Sequence, residues 1–326
     1  MAKPSRYTEQ EIQANVESGA WKTTISQLWD QNATRYPRQE AVEDPFAKLT
    51  WAEAKQWTDR VSLNLLELGI ERDDAVVIQL PNWNELSLLR VACEKAGVLC
   101  APVQVNLRQK EVEYTLRYLD AAVAVIPWKF RGFDYLQMIK NIRPNLPRLR
   151  HILMVSDKVP KEVLSVRKLA TELLGRKYNV QHLEEQRYKT TEVSIINHTT
   201  GTTGFPKFAE YPAGANAAWG EGQVPNLKLT INDVIAAVAP ARRGPCLPVY
   251  YDAPWVAAKV VMIPWGGGEK GAQEALKMIE ARKVTVVCVV PTQLAMMMEQ
   301  FKLGNYDLSS VRVWYSAGAL IPPSLV

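Results

Sequence analysis

The chain has 326 residues, 47 % hydrophobic and 22 % charged, an ordinary globular composition with room for two domains or two lobes of one large α/β domain. Its 39 basic and 34 acidic side chains leave a net charge of +5 with no long basic run, and nothing in it resembles a phosphate-tracking or base-stacking nucleic-acid surface. The polar N-terminus lacks the apolar core of a signal peptide and no window approaches twenty uninterrupted apolar residues, so neither a membrane span nor a nucleic-acid partner is expected.

In chain order, Thr50 and Glu53 form a capping-box pattern, after which Ala54, Trp57, Val61, Leu65 and Leu68 share one helical face and Gly69 is placed to end the helix. Ala75 to Leu80 is a short β-branched run stopped by Pro81. A helix from about Trp83 to Ala96, a strand around Val98 to Val103, a helix from about Arg108 to Leu119 and a strand from Ala122 to Ile126 follow. This alternation predicts a parallel sheet covered on both faces. A further strand is expected at His151 to Val155, then a charged, helical connection through Lys158 to Lys189. The predicted division is a first α/β lobe over 1–190 and a second over 191–326.

The second lobe opens on an apolar strand, Val193 to Ile196, that empties into Asn197-His198-Thr199-Thr200-Gly201-Thr202-Thr203-Gly204-Phe205-Pro206-Lys207. Gly201 and Gly204 let the backbone turn its N–H groups inward, four threonines add hydroxyl donors, and Lys207 adds a positive charge. That composition suits a polyphosphate. The spacing is not that of a Walker A loop, because only two residues separate the glycines and no Gly-Lys-Ser/Thr closes the run. Later strands are expected at Val234 to Ala239, Ala257 to Ile263, Val284 to Val290 and Val311 to Tyr315, with a helix from about Lys270 to Arg282 between the middle pair. Gly266-Gly267-Gly268 reads as a strand-to-helix turn and Met296-Met297-Met298 as core packing. Cys93, Cys100, Cys246 and Cys288 have no metal-ligand spacing; Cys93 and Cys288 fall in apolar runs, which fits buried thiols in a reducing cytoplasm.

The order Thr200-Gly201-Thr202-Thr203-Gly204-Phe205-Pro206-Lys207 resembles the phosphate loop of the adenylate-forming enzymes, and other landmarks extend the resemblance over nearly the whole chain. They are Leu49-Thr50-Trp51-Ala52-Glu53, Gln79-Leu80-Pro81-Asn82, Lys95 through Val103, Lys283 through Thr292, and Ser316-Ala317-Gly318-Ala319-Leu320. Within that family the chain is most similar to stand-alone aryl-acid–AMP ligases such as the 2,3-dihydroxybenzoate–AMP ligases, a comparison strengthened by Arg131-Gly132-Phe133-Asp134-Tyr135. The resemblance implies two mainly parallel stacked sheets with flanking helices. It implies that ATP and a carboxylic acid, aromatic or cyclic, give an acyl-adenylate that is passed to CoA or a carrier-protein thiol. Thr199, Thr200, Gly201, Thr202, Thr203, Gly204 and Lys207 would hold the ATP phosphates with Mg2+, and Gly318 and Ala319 would line the acyl pocket.

Three departures from the family pattern carry expectations of their own. Phe208 stands after the lysine where the family usually has glycine, either crowding the loop's exit or packing beneath it. Arg242 and Arg243 replace a histidine and an asparagine that orient the substrate; they either grip an acidic group bidentately or are solvated surface side chains. The sequence also stops at Val326, before the family's Tyr-Gly-x-Thr-Glu motif, ribose-binding aspartate and C-terminal lysine, so no catalytic residue is assigned and a truncated chain without efficient turnover is expected. The alternative is a non-catalytic relative that binds a ligand or partner.

Overall fold

The computed structural model describes residues 7–198, 207–241 and 244–325. It divides into two compact units assembled from discontiguous stretches: Met1–Gln27, Lys55–Leu80 and Glu85–Ala218 form one, and Leu28–Ala54, Pro81–Asn84 and Trp219–Val326 the other. The stretch that carries Lys207 therefore belongs to the first unit.

The first unit is built on a seven-stranded sheet. Its order is Phe208–Pro212, Val193–His198, Leu99–Pro102, Ala75–Ile78, Val123–Pro127, His151–Val155 and Leu164–Ser165. Every pairing is parallel except that of the two strands at the Phe208 edge. The central strands Ala75–Ile78 and Val123–Pro127 are buried at every position, as expected of parallel strands covered on both faces. Leu116, Tyr135, Ile139, Ile152 and Met154 belong to the apolar core of this unit.

Two landmark positions acquire physical reasons here. The fully buried ammonium of Lys95 lies 2.6 Å from Asp59 Oδ1 and donates to Thr58 Oγ1 at 3.1 Å, so a charge taken from water keeps a compensating partner. Gly97 adopts φ +67°, and a Cβ on it would sit 2.4 Å from the carbonyl oxygen of Gln186. Both the backbone conformation and the close approach require glycine.

The helix start read from Thr50 and Glu53 is present. The Thr50 N–H donates to Glu53 Oε2 at 2.8 Å and the Glu53 N–H to Thr50 Oγ1 at 3.3 Å, ahead of helix Trp51–Glu67. The connection over 158–189 differs from expectation. Its helices are only Val166–Thr171 and Val180–Gln186. Pro160 and Gly175 punctuate the stretch, and its charged residues have no sustained apolar stripe to bury.

The second unit carries a six-stranded sheet, in the order Val313–Ser316, Val286–Val289, Val234–Ala237, Lys259–Met262, Glu40–Glu43 and Lys48–Thr50. All pairings are parallel except the last. Helix Gly268–Ala281 follows the Gly266-Gly267-Gly268 turn, where Gly267 and Gly268 have φ of +93° and +56°, in keeping with a strand-to-helix turn. Of the three consecutive methionines, Met297 is core, Met298 packs against the core and Met296 is exposed.

Asn82 is the polar hub of this unit. Its buried Nδ2 lies 2.9 Å from Ala237 O, 2.8 Å from Ala239 O and 3.1 Å from Ile263 O, and its Oδ1 accepts from the Ala241 N–H at 2.8 Å. Asp252 has the opposite character. It is fully buried, neither carboxylate oxygen has a hydrogen-bond partner among the described residues, and burial pushes its carboxyl from 3.8 up to about 7.

These two residues make opposite predictions. Asn82→Ala strands the buried Ala241 N–H and takes a donor from the carbonyls of Ala237, Ala239 and Ile263, and should destabilise the chain by about 3 kcal/mol in denaturant unfolding with an unchanged m-value. Between about pH 4 and pH 7 the native chain holds a proton on Asp252 that the unfolded chain has lost. This group's contribution to stability is therefore full at low pH, falls as pH rises and is gone above about pH 7. Asp252→Asn should raise Tm at pH 8, by up to about 4 kcal/mol in free energy, and the gain should vanish near pH 4 in a thermal-unfolding series. A Tm difference independent of pH would contradict the assignment.

Candidate active site

In the first unit the strands Val193–His198 and Phe208–Pro212 form an antiparallel hairpin in which His198 pairs with Phe208 and Asn197 with Ala209. The residues between, 199–207, are the segment that the sequence marks for phosphate. Thr199, Thr200, Gly201, Thr202, Thr203 and Gly204 lie outside the described residues. Lys207 is described: it is exposed and immediately precedes the edge strand. At the end of the incoming strand Asn197 is buried, and neither atom of its side-chain amide finds a hydrogen-bond partner among the described residues. A buried amide of this kind offers both a donor and an acceptor to whatever completes the site.

Phe208 is turned toward a neighbouring helix. Its ring stacks on Tyr118 of helix Gln109–Tyr118, with centroids 4.6 Å apart and planes inclined by 15°. Tyr114, one turn earlier, lies 6.1 Å from Phe208 at 23° and 5.7 Å from Tyr118. Phe208 also packs against the apolar core of its unit. The ring therefore packs on described neighbours, while the loop that it was expected to crowd or underlie lies outside the described residues.

In the second unit Gly318 and Ala319 lie past the carboxyl end of a parallel strand, Val313–Ser316, where an open α/β sheet places ligand sites. Gly318 has φ +93°, a conformation that disfavours a side chain, while a Cβ there would meet Val290 and Pro245 only at ordinary van der Waals distance. Conformation, more than space, therefore selects glycine at this position. Ala319 is exposed. Arg242 and Arg243 lie outside the described residues, but both flanks are placed: Ala241 is held by Asn82, and Gly244 begins a short 3-10 turn that brings Pro245 beside Gly318. Gln293, from the helix that starts at Pro291, donates to Val238 O at 3.0 Å and accepts from the Val290 N–H at 3.2 Å. Three strand ends are thus cross-tied by side-chain amides.

Three residues at or beside these sites escape sequence reasoning. Asn82 falls within a landmark run, yet only its position after a strand and a proline hints at its role. Tyr118 looks like any surface tyrosine at the end of a helix. Asp252 could have been noticed as an acidic residue inside the apolar stretch Pro248 to Val256.

The similarities to known proteins agree with one another. The chain is 25 % identical to the mitochondrial medium-chain acyl-CoA ligase ACSF2 of Rattus norvegicus over 97 % of its own length and 54 % of that protein's. It is 24 % identical to the 2,3-dihydroxybenzoate-AMP ligase of Bacillus subtilis (strain 168), over 93 % and 54 % respectively. It thus spans about half the length of the curated relatives it matches. Its fold matches the apo structure of Mycobacterium smegmatis MbtA with a TM-score of 0.84 at 21 % identity, covering 99 % of this chain and 57 % of that one. The AMP-binding enzyme family matches residues 29–326, and on that extent the chain belongs to the AMP-binding enzymes.

Proposed function

We propose that the chain forms the part of an ATP-dependent acid ligase in which a carboxylic acid is activated. The carboxylate oxygen attacks the α-phosphate of ATP, the bond to the β-phosphate breaks, and acyl-adenylate and pyrophosphate result. The acyl group then passes to CoA or a carrier thiol. The observation that carries this reading is the order of Thr199 through Lys207 directly after a buried strand, in a chain of the AMP-binding family. In this proposal Thr199, Thr200, Gly201, Thr202, Thr203 and Gly204 offer hydroxyl and backbone donors to the β- and γ-phosphates, and Lys207 neutralises their charge. Mg2+ travels with the polyphosphate and lowers the charge that these donors must hold. Their task is alignment and charge compensation, with no covalent role for the protein.

For the acid we propose an aromatic or cyclic carboxylate held near Arg242, Arg243, Gly318 and Ala319. The resemblance at Arg131–Tyr135 and the similarity to an aryl-acid ligase support that class. A medium-chain fatty acid is the competing choice, favoured by the acyl-CoA ligase relatives. For the compartment we propose a reducing cytoplasm. All four cysteines are buried thiols and none is disulfide-bonded, and no helix among the described residues is long and apolar enough to cross a membrane.

Carboxylate-dependent ATP–pyrophosphate exchange across aromatic, cyclic and fatty acids tests this directly. Exchange with one class would identify the acid, whereas nucleotide binding without exchange under any acid would favour a part that needs the rest of a longer ligase, or a binding-only relative. Lys207→Ala should weaken Mg–ATP binding by roughly tenfold to a hundredfold, the loss of one charge-assisted hydrogen bond, and Gly204→Val should abolish it. Calorimetric titrations in which both variants match the parent would remove the site assignment.

A further inference from the structure

The residue after Lys207 begins an edge strand that, among the described residues, pairs with another strand on one side only. Nine residues, 199–207, separate His198 from Phe208, more than the roughly two to five of the common hairpin turns, so side chains at the base of the hairpin bear on its register. The closing pair is His198 and Phe208. An edge strand that starts beside a long connection frays readily unless something outside the ladder holds its first residue.

Here the holding element is aromatic. Phe208 stacks nearly parallel on Tyr118 at 4.6 Å, and Tyr114 extends the stack to a third ring. The two tyrosines are four residues apart on helix Gln109–Tyr118, so they share one face of it. That helix is itself fixed by the buried side chains of Val112, Thr115 and Leu116. Tyr118 is 52 % exposed, so its ring does little to fill the core, and it meets Phe208 through the stack.

We propose that Phe208, Tyr118 and Tyr114 form a clamp that positions Lys207 for a polyphosphate ligand. The Lys207 Cα is one peptide, about 3.8 Å, from a residue fixed by ring stacking, while its own side chain remains in solvent. The clamp confines the root of a flexible cation without burying its charge. Less conformational freedom is then lost when the ammonium meets phosphate. In this proposal all three are positioning residues that act through the lysine. The proposal rests on the reading of Lys207 as a phosphate ligand.

Two readouts on this chain separate the clamp from that reading. The first is trypsin cleavage of the Lys207–Phe208 bond, which needs no nucleotide. It should accelerate in Tyr118→Ala and in Phe208→Leu, which keeps an apolar side chain against the core but deletes the ring, and stay at the parent rate in Tyr118→Phe. The second is Mg–ATP affinity by calorimetry. Tyr118→Ala should weaken it roughly three- to tenfold, the range expected for a lost aromatic pair, with recovery in Tyr118→Phe. In a Lys207→Ala background the same change should have no further effect, because a clamp that acts through the lysine has nothing left to position. Cleavage rates equal to the parent overturn the clamp. Faster cleavage with unchanged affinity, or an undiminished effect of Tyr118→Ala without Lys207, overturns its positioning role. A parent chain that fails to bind Mg–ATP removes the phosphate reading and the positioning role together, and the cleavage series then judges the anchoring alone.

Discussion

The amide of Asn82 holds together the end of the second unit's sheet at which the acid is proposed to bind. Parallel strands that stop at one level leave carbonyl and N–H groups facing loops, and in a buried setting each of these must find a partner. Asn82 reaches carbonyls at the ends of two strands and the N–H of Ala241. Gln293 does the same for Val238 and Val290. The chain that leaves toward Arg242 and Arg243 therefore departs from a fixed point. Gly318, which only φ constrains, lies beside Pro245 on the far side of that segment.

The buried charges show how unevenly polar groups are treated in this fold. Lys95 is fully enclosed and remains compatible with the interior because Asp59 and Thr58 are within hydrogen-bond reach. Glu43 is held below the ordinary carboxylate range even though burial pushes the other way, because Lys259 and Arg282 both contact it. Asp252 has no such partner among the described residues, and its neighbourhood includes Cys288 and Tyr315, whose own ionisation it disfavours. A neutral carboxyl is the form that this site tolerates, so the residue trades stability at neutral pH for a polar group in an apolar place.

The family and the general plan were legible in the sequence for simple reasons. Buried parallel strands are short β-branched runs whatever packs on them, so Ala75–Ile78, Val123–Pro127, His151–Val155 and Val286–Val289 could be read within a residue or two. Helix starts such as Thr50 with Glu53 are local hydrogen-bond patterns and need no tertiary information. The connection over 158–189 is helical only at Val166–Thr171 and Val180–Gln186, because charge without an apolar stripe says little about the extent of a helix. The helix Ala213–Leu227 was not anticipated, since its glycines and alanines show almost no periodic pattern.

What the sequence determined by itself is therefore the alternation of strand and helix, the membership of the AMP-binding family, and the chemical character of the segment from Thr199 to Lys207. Each of these follows from contiguous residues whose spacing is already physical. The tertiary structure alone decided the roles of residues far apart in the chain. Asn82 reaches groups more than 150 positions away, Gly97 is required by the carbonyl of Gln186, and Phe208 finds its stacking partner on Tyr118. No local pattern encodes such pairings, because they depend on which faces meet after the sheets have formed.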